Sequence, residues 1–110
     1  MASPTLTAAG FREVATFFRA LSDPIRLRIV HLLRAQPRSV GEVVEALDIP
    51  QPSASRHLAR LHAAGLIARS RQGNQIIYAV RDAFVGQLCD LACGRLAAND
   101  AARPRWFGAE

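Results

Sequence analysis

Apolar residues recur along this 110-residue chain with two different periods, and the change of period divides it into elements. Phe11, Val14, Ala15, Phe18 and Leu21 fall on one side of a helix, with Arg12, Glu13 and Arg19 outside. Ser22-Asp23-Pro24 supplies a capping side chain and a proline suited to the first helical turn. The second helix, through Ile25, Leu27, Ile29, Val30, Leu32 and Leu33, is apolar on more than one side and is expected to be buried. Gln36-Pro37-Arg38 breaks it. Ser39-Val40-Gly41-Glu42 has capping-box spacing for a third helix, with Val43, Val44, Ala46 and Leu47 as its apolar face and Asp48-Ile49-Pro50 as its close.

A fourth helix starts beside Pro52. Ala54, Leu58, Leu61 and Gly65 recur on its inner side, while Ser53, Arg56 and Arg60 lie opposite and His57 flanks them. Two short helices joined by so tight a turn form a helix-turn-helix. Gly65 is suited to a C-cap, after which residues 66–71 and 75–80 predict strands around the turn Gln72-Gly73-Asn74. A hairpin in this position is the wing of a winged helix, with Arg69 and Arg71 near its tip. The last helix, 82–97, carries Phe84, Val85, Leu88, Leu91, Ala92 and Leu96 on one side. So small a core cannot cover that face, which is expected to pair with a second copy together with the first helix.

The predicted fold class is therefore mainly α with a small β-hairpin: a homodimeric winged helix-turn-helix of five helices and a two-stranded wing. Residues 1–10 are expected to form a flexible N-terminus and 11–97 the DNA-binding and dimerisation domain. Residues 98–110, which include Trp106-Phe107, form a C-terminal tail. No run is long enough to span a bilayer, and residues 1–10 lack the basic start of a signal peptide. The expected location is cytoplasmic, where Cys89 and Cys93 are reduced thiols.

Charge adds a partner to this picture. The net charge is +5, and the stretch 49–81 holds Arg56, Arg60, Arg69, Arg71 and Arg81 with no acid. Before it, six arginines face five acids; after it, three face four. A basic surface confined to the helix-turn-helix and wing points to double-stranded DNA. No convergent catalytic set accompanies it, so an enzyme is not expected. His31 reads as a hydrogen-bonded structural residue within an apolar helix, and His57 and His62 as phosphate-contacting or packing residues.

The order of elements and the run Gln51-Pro52-Ser53-Ala54-Ser55-Arg56-His57-Leu58 resemble the ArsR/SmtB family of bacterial metal- and stress-responsive repressors. Asp23-Pro24-Ile25-Arg26-Leu27, Ala64-Gly65-Leu66-Ile67 and Ile77-Tyr78 at the end of the wing match the same family, over about 11–96. The resemblance implies a homodimer that binds a near-palindromic operator and leaves it when an inducer acts. The positions assigned to DNA are Gln51, Ser53, Ser55, Arg56, His57 and Arg60 on the helix, with Arg69 and Arg71 on the wing. Ser53 and Arg56 are expected nearest base edges, Arg60 on phosphate, and the wing arginines on backbone or minor groove.

Family inducer sites of the familiar kinds are not matched. Where arsenite sensors carry Cys-Val-Cys, this chain has Ser39-Val40-Gly41. Where zinc sensors place Asp, His, His and Glu, it has Asp82, Phe84, Arg95 and Ala98, and Asp82 reads better as a helix cap. Sulfide sensors pair a cysteine of the second helix with one of the last, and the second helix here has none.

What remains is Cys89 and Cys93, four apart and so one turn apart on one side of the last helix. Two such thiols suit a soft ion, above all a trivalent arsenic or antimony species in an organo-substituted or water-completed form. Thiol redox or persulfide chemistry is the rival, with Asp90 alongside opposing deprotonation. Three alternatives stay open: cysteines that only pack, a repressor with no thiol sensing, and a winged helix used as a protein-interaction module. No cofactor is required for DNA binding on this reading.

Overall fold

The computed structural model describes residues 5–108; residues 1–4, inside the expected flexible N-terminus, and 109–110, inside the expected tail, lie outside the described residues. Helix α1 (Ala8–Leu21) starts three residues before Phe11 because the Thr7 hydroxyl accepts the Gly10 N–H at 3.1 Å. Ala8, Ala9 and Gly10 are thus helical rather than part of a flexible leader; without an apolar stripe, only that cap marks them. Helix α2 (Pro24–Ala35) is capped by Asp23, which accepts from the N–H of Ile25 at 2.8 Å and of Arg26 at 3.1 Å. Two residues further on, β1 (Arg38–Ser39) is a strand too short for its sequence to reveal.

Ser39 also opens α3 (Val40–Leu47) through the expected reciprocal box: its hydroxyl accepts the Glu42 N–H at 3.2 Å, and Glu42 accepts the Ser39 N–H at 2.9 Å. Asp48, left-handed at φ +54°, ends α3, and α4 (Gln51–Ala63) begins after Pro50. Strands β2 (Ile67–Gln72) and β3 (Gln75–Val80) form the wing, and β1 joins β3 to give a three-stranded antiparallel sheet in the order β1-β3-β2. Helix α5 (Ala83–Ala97) is capped by Asp82, which accepts the Phe84 N–H at 2.9 Å, the role expected for it.

The C-terminal segment is more regular than a tail. It forms a 3-10 turn (Asp100–Ala102) and a short helix, α6 (Arg103–Trp106), with the Arg105 guanidinium 4.8 Å from the Trp106 ring centre. Pro104 lies in the first turn of α6, where its missing N–H costs nothing. Among the described residues no helix is long and apolar enough to cross a membrane.

One core joins these elements. Ile29, Val30 and Leu33 of α2 pack with Val43 of α3, Ala54, Leu58 and Leu61 of α4, Leu66 and Ile67, Tyr78 of β3 and Val85 of α5. Burying a large aliphatic side chain contributes about 1.5–3 kcal/mol. The back of α4 is thereby fixed to the body of the domain. By contrast, Phe11 and Phe18 on α1 and Phe84, Leu91 and Leu96 on α5 are exposed, Leu91 to 73%. The edge-to-face pair Phe17 and Phe84, 5.4 Å between centres, links those two helices.

Three carboxylates are held below their ordinary range. Backbone donation from Arg26 and Ile25 lowers Asp23, the Ser39 backbone and hydroxyl lower Glu42, and the Arg34 side chain lowers Asp90. Each is bound more tightly as an anion when folded, so each contributes stability above its unfolded pKa and loses it as pH falls through the folded one. Thermal unfolding followed by circular dichroism should show a midpoint that declines below about pH 4. Asp23→Asn, which still caps, should flatten part of that decline; an unchanged acid limb would contradict the assignment.

Candidate nucleic-acid interface and thiol pair

Helix α4 is presented by its two ends. Its start is delimited by left-handed Asp48 and by Pro50 and Pro52. Its end is a Schellman turn: Gly65 N–H donates to His62 O at 3.0 Å and Leu66 N–H to Leu61 O at 3.1 Å, with Gly65 at φ +78°. Gly65 lies beyond the helix, so it serves as the cap and not as part of the inner stripe with Ala54, Leu58 and Leu61, which are fully buried. The chain turns there straight into the wing.

Opposite that buried stripe, Arg56 and Arg60 are exposed; Gln51 in the first turn and Ser55 on the flank are exposed too, and Ser53 and His57 are half-buried at the other edge. Arg69 and Arg71 are exposed on β2. Their cross-strand partners are Tyr78 and Ile76, so both lie on the sheet face that Ile67 and Val80 turn to the core, extended past the body of the domain. Arg71 stands one pair from the turn, where its Nε donates to Gly73 O at 3.3 Å; Arg69 stands further back. Gly73 (φ +62°) followed by Asn74 at negative φ has the sign pattern of a type II′ turn, which matches strand twist. Among the described residues no carboxylate lies within ion-pair distance of Arg56, Arg60, Arg69 or Arg71.

His57 differs from the other helix positions in having a partner within the fold. Its Nδ1 lies 3.2 Å from Nη1 of Arg26, whose Nε and Nη2 donate to Ala20 O at 2.6 Å and Arg19 O at 3.3 Å. Arg26 was visible in the sequence only as one member of a motif; nothing linked it to a residue 31 positions away. His31 is exposed, and among the described residues it makes no hydrogen bond, contrary to the structural role expected of it. His62 is half-buried at the end of α4.

The thiol pair lies on the flank of α5 that meets α2. Cys89 is half-buried against the core and Cys93 is exposed. By helical spacing they follow Val85 and Gly86, while Phe84, Leu88 and Leu91 form the neighbouring apolar stripe. Arg34 reaches across from α2 to grip Asp90 with two parallel bonds of 3.0 and 3.1 Å. A Cβ at Gly86 would stand 2.8 Å from Arg34 Nε, so the absent side chain is what lets the guanidinium pass. Burial pushes the Cys89 thiol up, with the Arg34 cation opposing it and Cys93 and Asp90 adding to it. Asp90 is thus occupied by Arg34, and burial rather than that carboxylate is the main brake on thiolate formation. Among the described residues no group of three or more His, Cys, Asp or Glu side chains is placed to hold a metal ion.

Comparisons with known proteins agree with this geometry. The family model described as bacterial regulatory protein, arsR family, matches residues 23–69, from the Asp23 cap to Arg69 of the wing. The HTH-type transcriptional repressor SmtB of Mycobacterium tuberculosis is 41% identical over 83 residues, covering 72% of this chain and 62% of that protein. The chain thus spans less than two thirds of the length of that relative. A probable mercury resistance operon repressor from Streptomyces lividans is 42% identical over 89 residues, covering 80% of this chain and 70% of that one. Among solved structures, Mb0332 from Mycobacterium bovis is described as a homodimeric winged helix-turn-helix DNA-binding domain and a possible ArsR-family transcriptional regulator. It matches with a TM-score of 0.76 and 26% identity over all of both chains. With its winged helix-turn-helix and these relatives, the chain belongs to the ArsR family of bacterial regulatory proteins.

Proposed function

We propose that this protein is a transcriptional repressor that binds a near-palindromic operator as a homodimer and is released when an inducer takes Cys89 and Cys93. The observation that carries the DNA reading is the exposed arginine surface of α4 and the wing, which has no acid partner among the described residues. Phosphates are the counter-charges such a surface lacks. Gln51, Ser53, Ser55, Arg56, His57 and Arg60 form the groove-facing set, and Arg69 and Arg71 flank it. The exposed aromatic and leucine side chains of α1 and α5 support pairing with a second copy, which places two α4 helices on successive turns of DNA.

For the inducer, the carrying observation is two thiols one helical turn apart, one of them open to solvent. A trivalent arsenic or antimony species takes both sulfurs, with an organic substituent or water completing it. Mercury(II) is a second reading, favoured because it is satisfied by two thiolates and because a relative at 42% identity is a probable mercury resistance repressor. Redox or persulfide sensing is less well supported, since burial holds Cys89 towards its protonated form.

DNA release should be followed by fluorescence anisotropy with arsenite, antimonite, methylarsenite, mercury(II) and a persulfide donor. The wild type should respond to a thiophilic species at concentrations at least about tenfold below those needed by Cys89→Ser/Cys93→Ser, the two strongest ligands being gone. Equal release from both proteins would remove these thiols as the switch. Release by the persulfide donor alone would move the assignment to sulfur chemistry.

A further inference from the structure

We propose that Arg26 is a positioning residue for DNA recognition, fixing the His57 ring so that its Nε2–H is presented as a donor to acceptor atoms of DNA. The inference rests on the reading that His57 lies at the DNA surface. Arginine carries donors only. With Arg26 Nη1 3.2 Å from His57 Nδ1, that nitrogen must accept, and the neutral ring carries its proton on Nε2.

The guanidinium is itself immobilised. Its Nε and Nη2 are committed to Ala20 O and Arg19 O at the end of α1, so the ring is held against a fixed point and not a swinging side chain. Asp23 is the acid near this group, and its carboxylate is committed to capping α2 through the N–H groups of Ile25 and Arg26. A donor-only His57 suits phosphate oxygens, guanine O6 and N7 or thymine O4, and it disfavours the amino groups of adenine and cytosine. The same contacts link the end of α1, a helix with exposed aromatics, to the DNA-reading helix through Arg26.

The test is a double-mutant cycle on the full-length protein, using a duplex that the wild type selects from a random-sequence pool. Arg26→Met and His57→Ala should each weaken binding on the order of tenfold, and the double variant should bind no more weakly than His57→Ala alone. His57→Asn, which keeps an acceptor for Arg26 but loses the outer donor, should unfold with the wild type and bind like His57→Ala. Nitrogen-detected NMR of the free protein at neutral pH should show the His57 proton on Nε2.

If Arg26→Met weakens binding by the same factor in both backgrounds, Arg26 is merely structural and the positioning role fails while the His57 contact stands. If His57→Ala leaves affinity unchanged, the DNA reading of His57 fails and the proposal with it. Wild-type binding by His57→Asn, or a proton on Nδ1, would also overturn it. Should Arg26→Met not fold, Arg26→Lys, with one reachable donor in place of a fork, takes its place in the cycle. Failure of the wild type to select any duplex would sink the proposal together with the repressor reading.

Discussion

Leu58→Ala should destabilise the domain by about 2–5 kcal/mol, the range for emptying a fully packed leucine site. Leu58 is completely buried at the middle of α4, among Ile29, Leu33 and Val43 and beside Ala54 and Leu61 of its own helix. Domains of this kind are stable by about 5–15 kcal/mol, so the variant forfeits a large share of the margin. In urea the transition midpoint should fall with the slope unchanged, as for a cavity and not an altered unfolded state. Leu58→Met keeps the volume and should cost less than about 1.5 kcal/mol. A loss below about 1 kcal/mol for the alanine variant would mean that α4 is not seated on the core through this residue.

Arg56→Ala should weaken operator binding by about 1–3 kcal/mol, roughly five- to 150-fold in Kd, and relax the preference at one base-pair position. The side chain is exposed near the centre of the face opposite the buried stripe of α4, the position from which a bidentate contact to guanine is made. Arg69→Ala, on the wing, should behave differently: binding weakens about equally for all sequences and the slope of log K against log salt falls by about one. If both variants gave the same salt slope and the same loss of preference, the division between base-reading helix and backbone-holding wing would be wrong.

Most of the fold was legible because its signals are local. The Ser39 and Glu42 box and the Asp23-Pro24 start each act over four residues or fewer and appear as the spacing predicts. The wing turn falls where expected but is one residue tighter, because Gln72 pairs with Gln75 and leaves only Gly73 and Asn74 between the strands. Strand β1 escaped because two residues carry no period, and the start of α1 because Ala8 to Gly10 carry no stripe. At the candidate sites, the exposed arginines were legible from helical phase, but their immobile neighbours were not. Arg26 reaches His57 across 31 residues and Arg34 reaches Asp90 across 56. Such contacts are decided by how α2 crosses α4 and α5, which the spacing of residues within any one helix does not encode. Helical phase placed the cysteines together on one side of α5; only the packing reveals that this side faces α2 and a bound arginine.

The wing's register carries a consequence for how this protein can change. Arg69 and Arg71 share their face with Ile67, which is anchored in the core, and the turn between Gln72 and Gln75 has no slack. Inserting or deleting one residue between Ile67 and Arg69 would therefore move both guanidinium groups onto the side now occupied by Ala68 and Ser70. Composition and net charge would be almost untouched while the address of the charge reversed. Between the Ile67 anchor and Arg69 the strand can change length without moving the charge only in steps of two, so parity, and not length or charge, is the quantity that selection on this stretch is expected to hold constant.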